Sequence, residues 1–138
     1  MLKASDIMVP NPITINMDAT IHEAIKLMER HNIASLVVVN EAGIVRGVIT
    51  AKDIVIKVIA KGLDPKLVKV SEILSNIVTV VEPNTPLKSI VNLILGTGHG
   101  HIPVVDKVGK ILGIITVDDV LKYVPELLEY VEMQSKSK

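Results

Sequence analysis

The segments VVVNEAGIVRGVITAKDIV (37–55) and PVVDKVGKILGIITVDDVL (103–121) align at an offset of 66 residues, and their likeness decides the architecture. Val38, Val39, Gly43, Gly47, Ile49, Thr50 and Asp53 recur as Val104, Val105, Gly109, Gly113, Ile115, Thr116 and Asp119. Working outward, ASDIM (4–8) matches VSEIL (70–74) at the same offset, and ITI (13–15) matches VTV (78–80) at an offset of 65. The chain is therefore a duplication. Halves of about 60 residues bury too little surface to be stable alone, so they are expected to pack on each other.

Each half carries the same order of signals. Ser5 and Ser71 suit the cap of a short helical turn, and the β-branched runs ITI and IVTVV (77–81) read as a strand. A helix follows. Thr20 and Glu23 form a capping box ahead of the stripe Ile21, Ala24, Ile25 and Met28; in the second half Thr85 caps, Pro86 takes the first helical position, and Leu87, Ile90, Val91 and Ile94 form the stripe. Two hairpins are expected, 35–40 with 44–50 and 101–105 with 110–115, their turns ending in Gly43 and Gly109. Thr50 and Thr116 then open a last helix in each half, running to about Lys61 and about Val124. The expected fold class is α/β (α+β): two pseudo-symmetric βαββα repeats, 1–66 and 67–124, packed through their sheets. A C-terminal helix and tail, 125–138, would lay Leu127, Leu128 and Val131 on the body or a partner, with Gln134 to Lys138 frayed.

Fifteen basic and fifteen acidic side chains cancel, so no chain-wide field exists to hold nucleic acid or an anionic membrane. Apolar residues make up 49% and mean hydropathy is +0.47, which points to apolar surface covered by another subunit, hence a homo-oligomer. No apolar run is long enough to span a bilayer and MLKASDIMVP has no signal core, so a cytoplasmic location is expected. Without cysteine there is no disulfide, thiolate nucleophile or cysteine-bound metal. With two tyrosines as the only aromatics, a bound base must sit among aliphatic side chains and backbone.

GVITAKD (47–53) and GIITVDD (113–119) each run from a strand through threonine into a helix. Helix N-termini present outward N–H groups that attract anions, whereas Asp53 and Asp119, three residues on, would repel phosphate and suit a ribose diol. The plain alternative is a capping box that needs no ligand. Capping alone does not require the glycine three residues before each threonine, nor its duplication.

On these residues the unit resembles the cystathionine-β-synthase (CBS) domain, and the two copies together resemble a Bateman module. The family's G-h-h-T/S-x-x-D signature matches at Gly47, Thr50 and Asp53 and at Gly113, Thr116 and Asp119. Its h-P-V-V-D segment stands as IPVVD (102–106), while the first copy departs with LVVVN (36–40). The resemblance implies two clefts between the sheets that take AMP, ADP, ATP or S-adenosylmethionine, in modules that dimerise into flat discs. It places the ribose on Asp53 and Asp119, and ribose or phosphate on Thr50 and Thr116. The base would meet Ile13 and Thr14, or Ile77 and Val78. Ser35, Leu36 and Val37, or His101, Ile102 and Pro103, would line the same clefts.

GTGHGH (96–101) offers a glycine-rich backbone that can form an anion nest, with His99, Gly100 and His101 against phosphate. A His-x-His metal pair lacks the remaining ligands of zinc, and a loop with exposed histidines is the third reading. Lys52 could reach a phosphate from its helix or be an ordinary solvated lysine; the matching residue is Asp118. His22 and His31 read as exposed helix positions. No activated nucleophile, acid–base pair or metal set emerges, since the adjacent Asp118 and Asp119 diverge on a helix. The expected function is a regulatory adenine-nucleotide sensor signalling to an unidentified effector protein, with no cofactor required; the alternatives are a ligand-free dimerisation module or an S-adenosylmethionine-binding regulator.

Overall fold

The computed structural model describes residues 1–74, 78–123, 125, 128, 129, 132 and 133. Its elements are α1 (Ala4–Ile7), β1 (Val9–Pro10), β2 (Thr14–Asn16), α2 (Ile21–His31), β3 (Ser35–Val39), β4 (Val45–Thr50) and α3 (Ala51–Ile54), which continues as a π-helical turn, Val55–Ile59. After these come α4 (Val70–Ile73), α5 (Leu87–Thr97), β5 (His101–Val105), β6 (Ile111–Thr116) and α6 (Val117–Leu121). Val124, Leu127, Val131 and Gln134 to Lys138, which carry expectations from the sequence, fall outside the described residues.

The strands make two three-stranded sheets, ordered β2-β3-β4 and β1-β6-β5. Both hairpins are antiparallel and share one register irregularity, between Val38 and Val39 and between Val104 and Val105. The two hairpin turns touch across the molecule, where Ile44 bridges Lys110 and the Val45 N–H donates to the Gly109 carbonyl at 3.0 Å.

The opening turns exchange halves. Ala4 and Ile7 of α1 are buried with Val81, Leu87, Ile90 and Ile102 of the second core, while Val70 of α4 is buried with Ile15, Ile21, Leu36 and Ile49 of the first. Backbone bonds fix each exchange: Ala4 N–H to Thr85 O at 2.8 Å and Leu87 N–H to Leu2 O at 3.0 Å, mirrored by Ile21 N–H to Val68 O and Val70 N–H to Ala19 O, both 2.8 Å. Each core is thus completed by residues from the other half, which is how units too small to stand alone are stabilised.

The helix stripes bury as expected: Ile21, Ala24 and Met28 on α2, Leu87 and Ile90 on α5. The caps differ. Thr20 caps α2, but Thr85 turns its hydroxyl back to accept from the Glu82 N–H at 3.1 Å, and Pro86 is the cap residue, with Leu87 first in the helix. Ser5 and Ser71 do not cap either. Lys3 and Lys69 occupy those positions, and their backbone N–H groups donate to Asp6 at 3.0 Å and Glu72 at 2.7 Å.

Of the strand expected over 77–81, the described residues 78–81 keep a single parallel bridge, Val81 to Val104. In the first half the Val37 N–H donates to the Ile13 carbonyl at 3.2 Å and extends the pairing of β2 with β3. The matching position is Pro103, which has no N–H to give, so Val78, Thr79 and Val80 stay outside regular structure. One proline thereby makes the two halves unequal.

LVVVN and IPVVD also differ at their last residue, and there the difference is structurally neutral. Asn40 accepts from the N–H groups of Ala42 and Ile44, both at 3.0 Å; Asp106 accepts from Val108 and Lys110 at 2.9 Å and Gly109 at 3.0 Å. The bond from the Lys110 N–H is the largest cause holding the Asp106 carboxyl below its usual 3.8; desolvation opposes it, and the bonds from Val108 and Gly109 add to the lowering. A depressed folded pKa contributes stability above the unfolded value that is lost as pH falls through the folded one. Asp106→Asn, which copies Asn40, should therefore flatten the fall of the thermal midpoint on acidification below about pH 4, measured against wild type in a pH series of melts.

Candidate functional site

Both Thr-x-x-Asp steps are reciprocal caps. The Thr50 N–H and hydroxyl both donate to Asp53 Oδ2 at 2.9 Å, and the Asp53 N–H donates to Thr50 Oγ1 at 3.1 Å. Thr116 and Asp119 repeat this at 2.9, 2.9 and 3.3 Å. Two features of these caps bear on the site. The threonine hydroxyls donate to the aspartate carboxylates. The N–H groups of Ala51 and Val117 are also occupied, by Ala34 O at 2.9 Å and Gly100 O at 3.2 Å. What each cap leaves over is the second carboxylate oxygen, Oδ1.

Asp53 borders a cleft of about 300 Å³ between the halves. Gly47, Thr50, Asp53 and Lys57 line it from the first half; Val78, Thr79, His99, Gly100, His101 and Pro103 line it from the second. Ile73 and Leu74 add apolar wall. Pro103 both faces the cleft and, through its missing N–H, keeps Val78 and Thr79 off β5.

Other candidates lie elsewhere. Leu36 and Ile102 are buried in the two cores, because alternate strand positions face opposite ways. Val37 is buried and carries the β2 pairing, Thr14 is its register partner, and Ile13 packs against the first core. Ser35 is half-buried, opposite Thr50 in the β3–β4 ladder. Ile77 falls outside the described residues.

Lys52 is exposed and does not line the cleft. The lysine that does is Lys57, one turn further, 3.9 Å from Asp53 Oδ1 and donating to the Ile73 carbonyl at 3.2 Å. The i,i+4 spacing from Asp53 was available in the sequence as a signal for it. Its place within a π-helical turn, an irregularity concentrated at functional sites, was not.

The second copy is more closed. Only 9% of the Asp119 side chain is exposed against 34% of Asp53, and Lys122 Nζ lies 3.5 Å from Asp119 Oδ1. Strand β1 lies along β6 there, pairing Pro10 with Gly113 and Val9 with Ile114. Among the described residues no three His, Asp or Glu side chains converge to hold a metal ion, and no helix is long and apolar enough to cross a membrane.

A family model described as CBS domain matches residues 4–60 and again 70–126. The chain belongs to the CBS domain family. As a CBS pair it is 38% identical, over 79% of its length, to an uncharacterized protein of Methanopyrus kandleri, and it spans only 56% of that relative. Among solved structures it superposes on the CBS domain pair of protein MJ0100 in complex with 5′-methylthioadenosine and S-adenosyl-L-methionine. That match has a TM-score of 0.81 at 28% identity and covers 91% of this chain and 98% of that one. It also superposes on the cytosolic domain of the Mg²⁺ channel MgtE in complex with ATP, with a TM-score of 0.75 at 29% identity over 87% of this chain and 48% of that one. The mixed α/β fold of the tandem repeat matches these CBS pairs.

Proposed function

We propose that this CBS pair is a regulatory, non-catalytic module that binds an adenine nucleotide, AMP, ADP or ATP, in the cleft between its halves. The observation that carries the reading is Asp53 in the lining of a mixed polar and aliphatic cleft, with an Oδ1 that accepts none of the cap hydrogen bonds. A carboxylate oxygen with only a 3.9 Å lysine beside it is a good acceptor for a ribose hydroxyl. The aliphatic wall of Ile73, Leu74, Val78 and Pro103 suits a purine face. Lys57, His99 and His101 supply donors for phosphate, which favours a phosphorylated ligand over a cationic sulfonium.

The ligands of the MJ0100 pair and of the MgtE domain share an adenosine moiety, which supports the class and keeps S-adenosylmethionine as the second reading. Because the two halves supply different walls of one cleft, a ligand that prefers one arrangement of them shifts their packing, which an effector protein would read. The exposed apolar side chains Val55, Ile56, Ile59 and Leu121 on the last helices fit a homodimer contact.

Calorimetric titration with AMP, ADP, ATP and S-adenosylmethionine tests the proposal. Binding of at least one nucleotide is expected, at about one equivalent per chain if the Asp53 cleft alone fills. Absence of heat with all four would leave a structural dimerisation module.

A further inference from the structure

Thr79 lies outside the Thr-x-x-Asp steps, in the segment that repeats 13–15, and its hydroxyl lies 2.9 Å from His99 Nδ1 at the cleft wall. His99 is held at both ends. Its backbone N–H donates to Thr97 Oγ1 at 3.1 Å, and Thr97 in turn donates to the Leu93 carbonyl at 2.6 Å in the last turn of α5. Gly98 supplies the left-handed turn, φ 73°, that swings the chain out of the helix. With backbone and Nδ1 both tied down, the ring nitrogen left for a ligand is Nε2.

The hydrogen count then fixes what Nε2 offers. If the Thr79 hydroxyl donates to a neutral ring, the hydrogen of that ring resides on Nε2. If the ring is charged, Nδ1–H donates to Thr79 Oγ1 and Nε2 again carries a hydrogen. Only a neutral ring donating from Nδ1 turns Nε2 into an acceptor, and an anionic ligand disfavours that state.

We infer that Thr79 is a positioning residue that presents His99 Nε2–H as a donor to the phosphate of the bound nucleotide, making the cleft selective for phosphorylated over unphosphorylated adenosine. This rests on the nucleotide reading above and goes beyond it by naming the pair that reads the phosphate. Lys57, from the opposite half, gives one hydrogen to the Ile73 carbonyl and lies within reach of Asp53, whereas His99 and His101 line the cleft from the second half, and of these two His99 is the one whose ring is held by a side-chain hydrogen bond among the described residues.

The test is the AMP-to-adenosine affinity ratio, measured by calorimetry on the full chain for wild type, Thr79→Val, Thr79→Ser and His99→Gln. Loss of one hydrogen bond to a charged group should lower that ratio about tenfold or more in T79V and H99Q. T79S, which keeps the hydroxyl, should restore it, and adenosine affinity should stay nearly constant throughout. An unchanged ratio in T79V and H99Q, with AMP still bound, overturns the inference while leaving the nucleotide reading standing. Failure of wild type to bind either ligand removes the nucleotide reading itself. A T79V variant with a lowered melting point and equal losses for both ligands would assign Thr79 to folding and also overturn the inference.

Discussion

Asp53→Asn is expected to weaken nucleotide binding by about 10- to 100-fold while the chain stays folded, because an amide presents N–H₂ where the ribose needs an acceptor. Losing a hydrogen bond to a charged group costs about 1.5–3 kcal/mol, which is that range of affinity. Asparagine is chosen over alanine because its carbonyl still accepts from the Thr50 N–H and hydroxyl, so the cap that starts α3 survives. Asp119→Asn provides the contrast. That side chain is nearly covered and faces Lys122, so affinity should stay within about twofold of wild type, since the change lies outside the open cleft. Isothermal titration of both variants decides the matter; a loss confined to D119N would move the site to the second copy.

Gly113→Ala should destabilise the fold by about 1–3 kcal/mol, the usual cost of overpacking a filled interior. A β-carbon there would stand 2.5 Å from Met8 Sδ, 2.8 Å from Met8 Cγ and 2.9 Å from the Val9 carbonyl oxygen. Met8 can rotate away. The carbonyl cannot, because β1 is paired with β6 at this residue. Gly47→Ala, at the matching position, meets only Leu74 Cδ2 at 3.3 Å, the tip of a flexible side chain, and should cost under about 1 kcal/mol. Chemical denaturation of the two variants checks the ordering, and equal midpoints would show that β1 yields without cost. The glycine three residues before each threonine, unexplained by capping, is thus accounted for in the second copy by close approach of another chain segment.

Several elements were legible because the signals that form them are local. Thr20 with Glu23, Thr50 with Asp53 and Thr116 with Asp119 close their capping boxes within one helical turn, and the stripes on α2 and α5 follow helical periodicity. Thr85 misled because its hydroxyl chose between two nearby N–H groups, and the turn to Glu82 won. The strand expected over 77–81 failed for a non-local reason: its partner is β5, where Pro103 withholds the donor. Strand β1 is two residues long and exists through β6, more than 100 residues away, so no pattern within MVPNP announced it.

The candidate site divides the same way. Thr50, Asp53, His99, Gly100, His101 and Pro103 were singled out by motif and composition, and all border the cleft. Duplication in the sequence established that two alike halves must share their burial, since neither is large enough to keep a core alone. Which Thr-x-x-Asp step stays open, that Lys57 rather than Lys52 accompanies it, and that Thr79 grips His99 were settled by the tertiary fold alone. Those outcomes depend on one missing proline N–H, one strand laid over Gly113 and the crossing of the opening turns, contacts between residues far apart in the chain that no local period encodes.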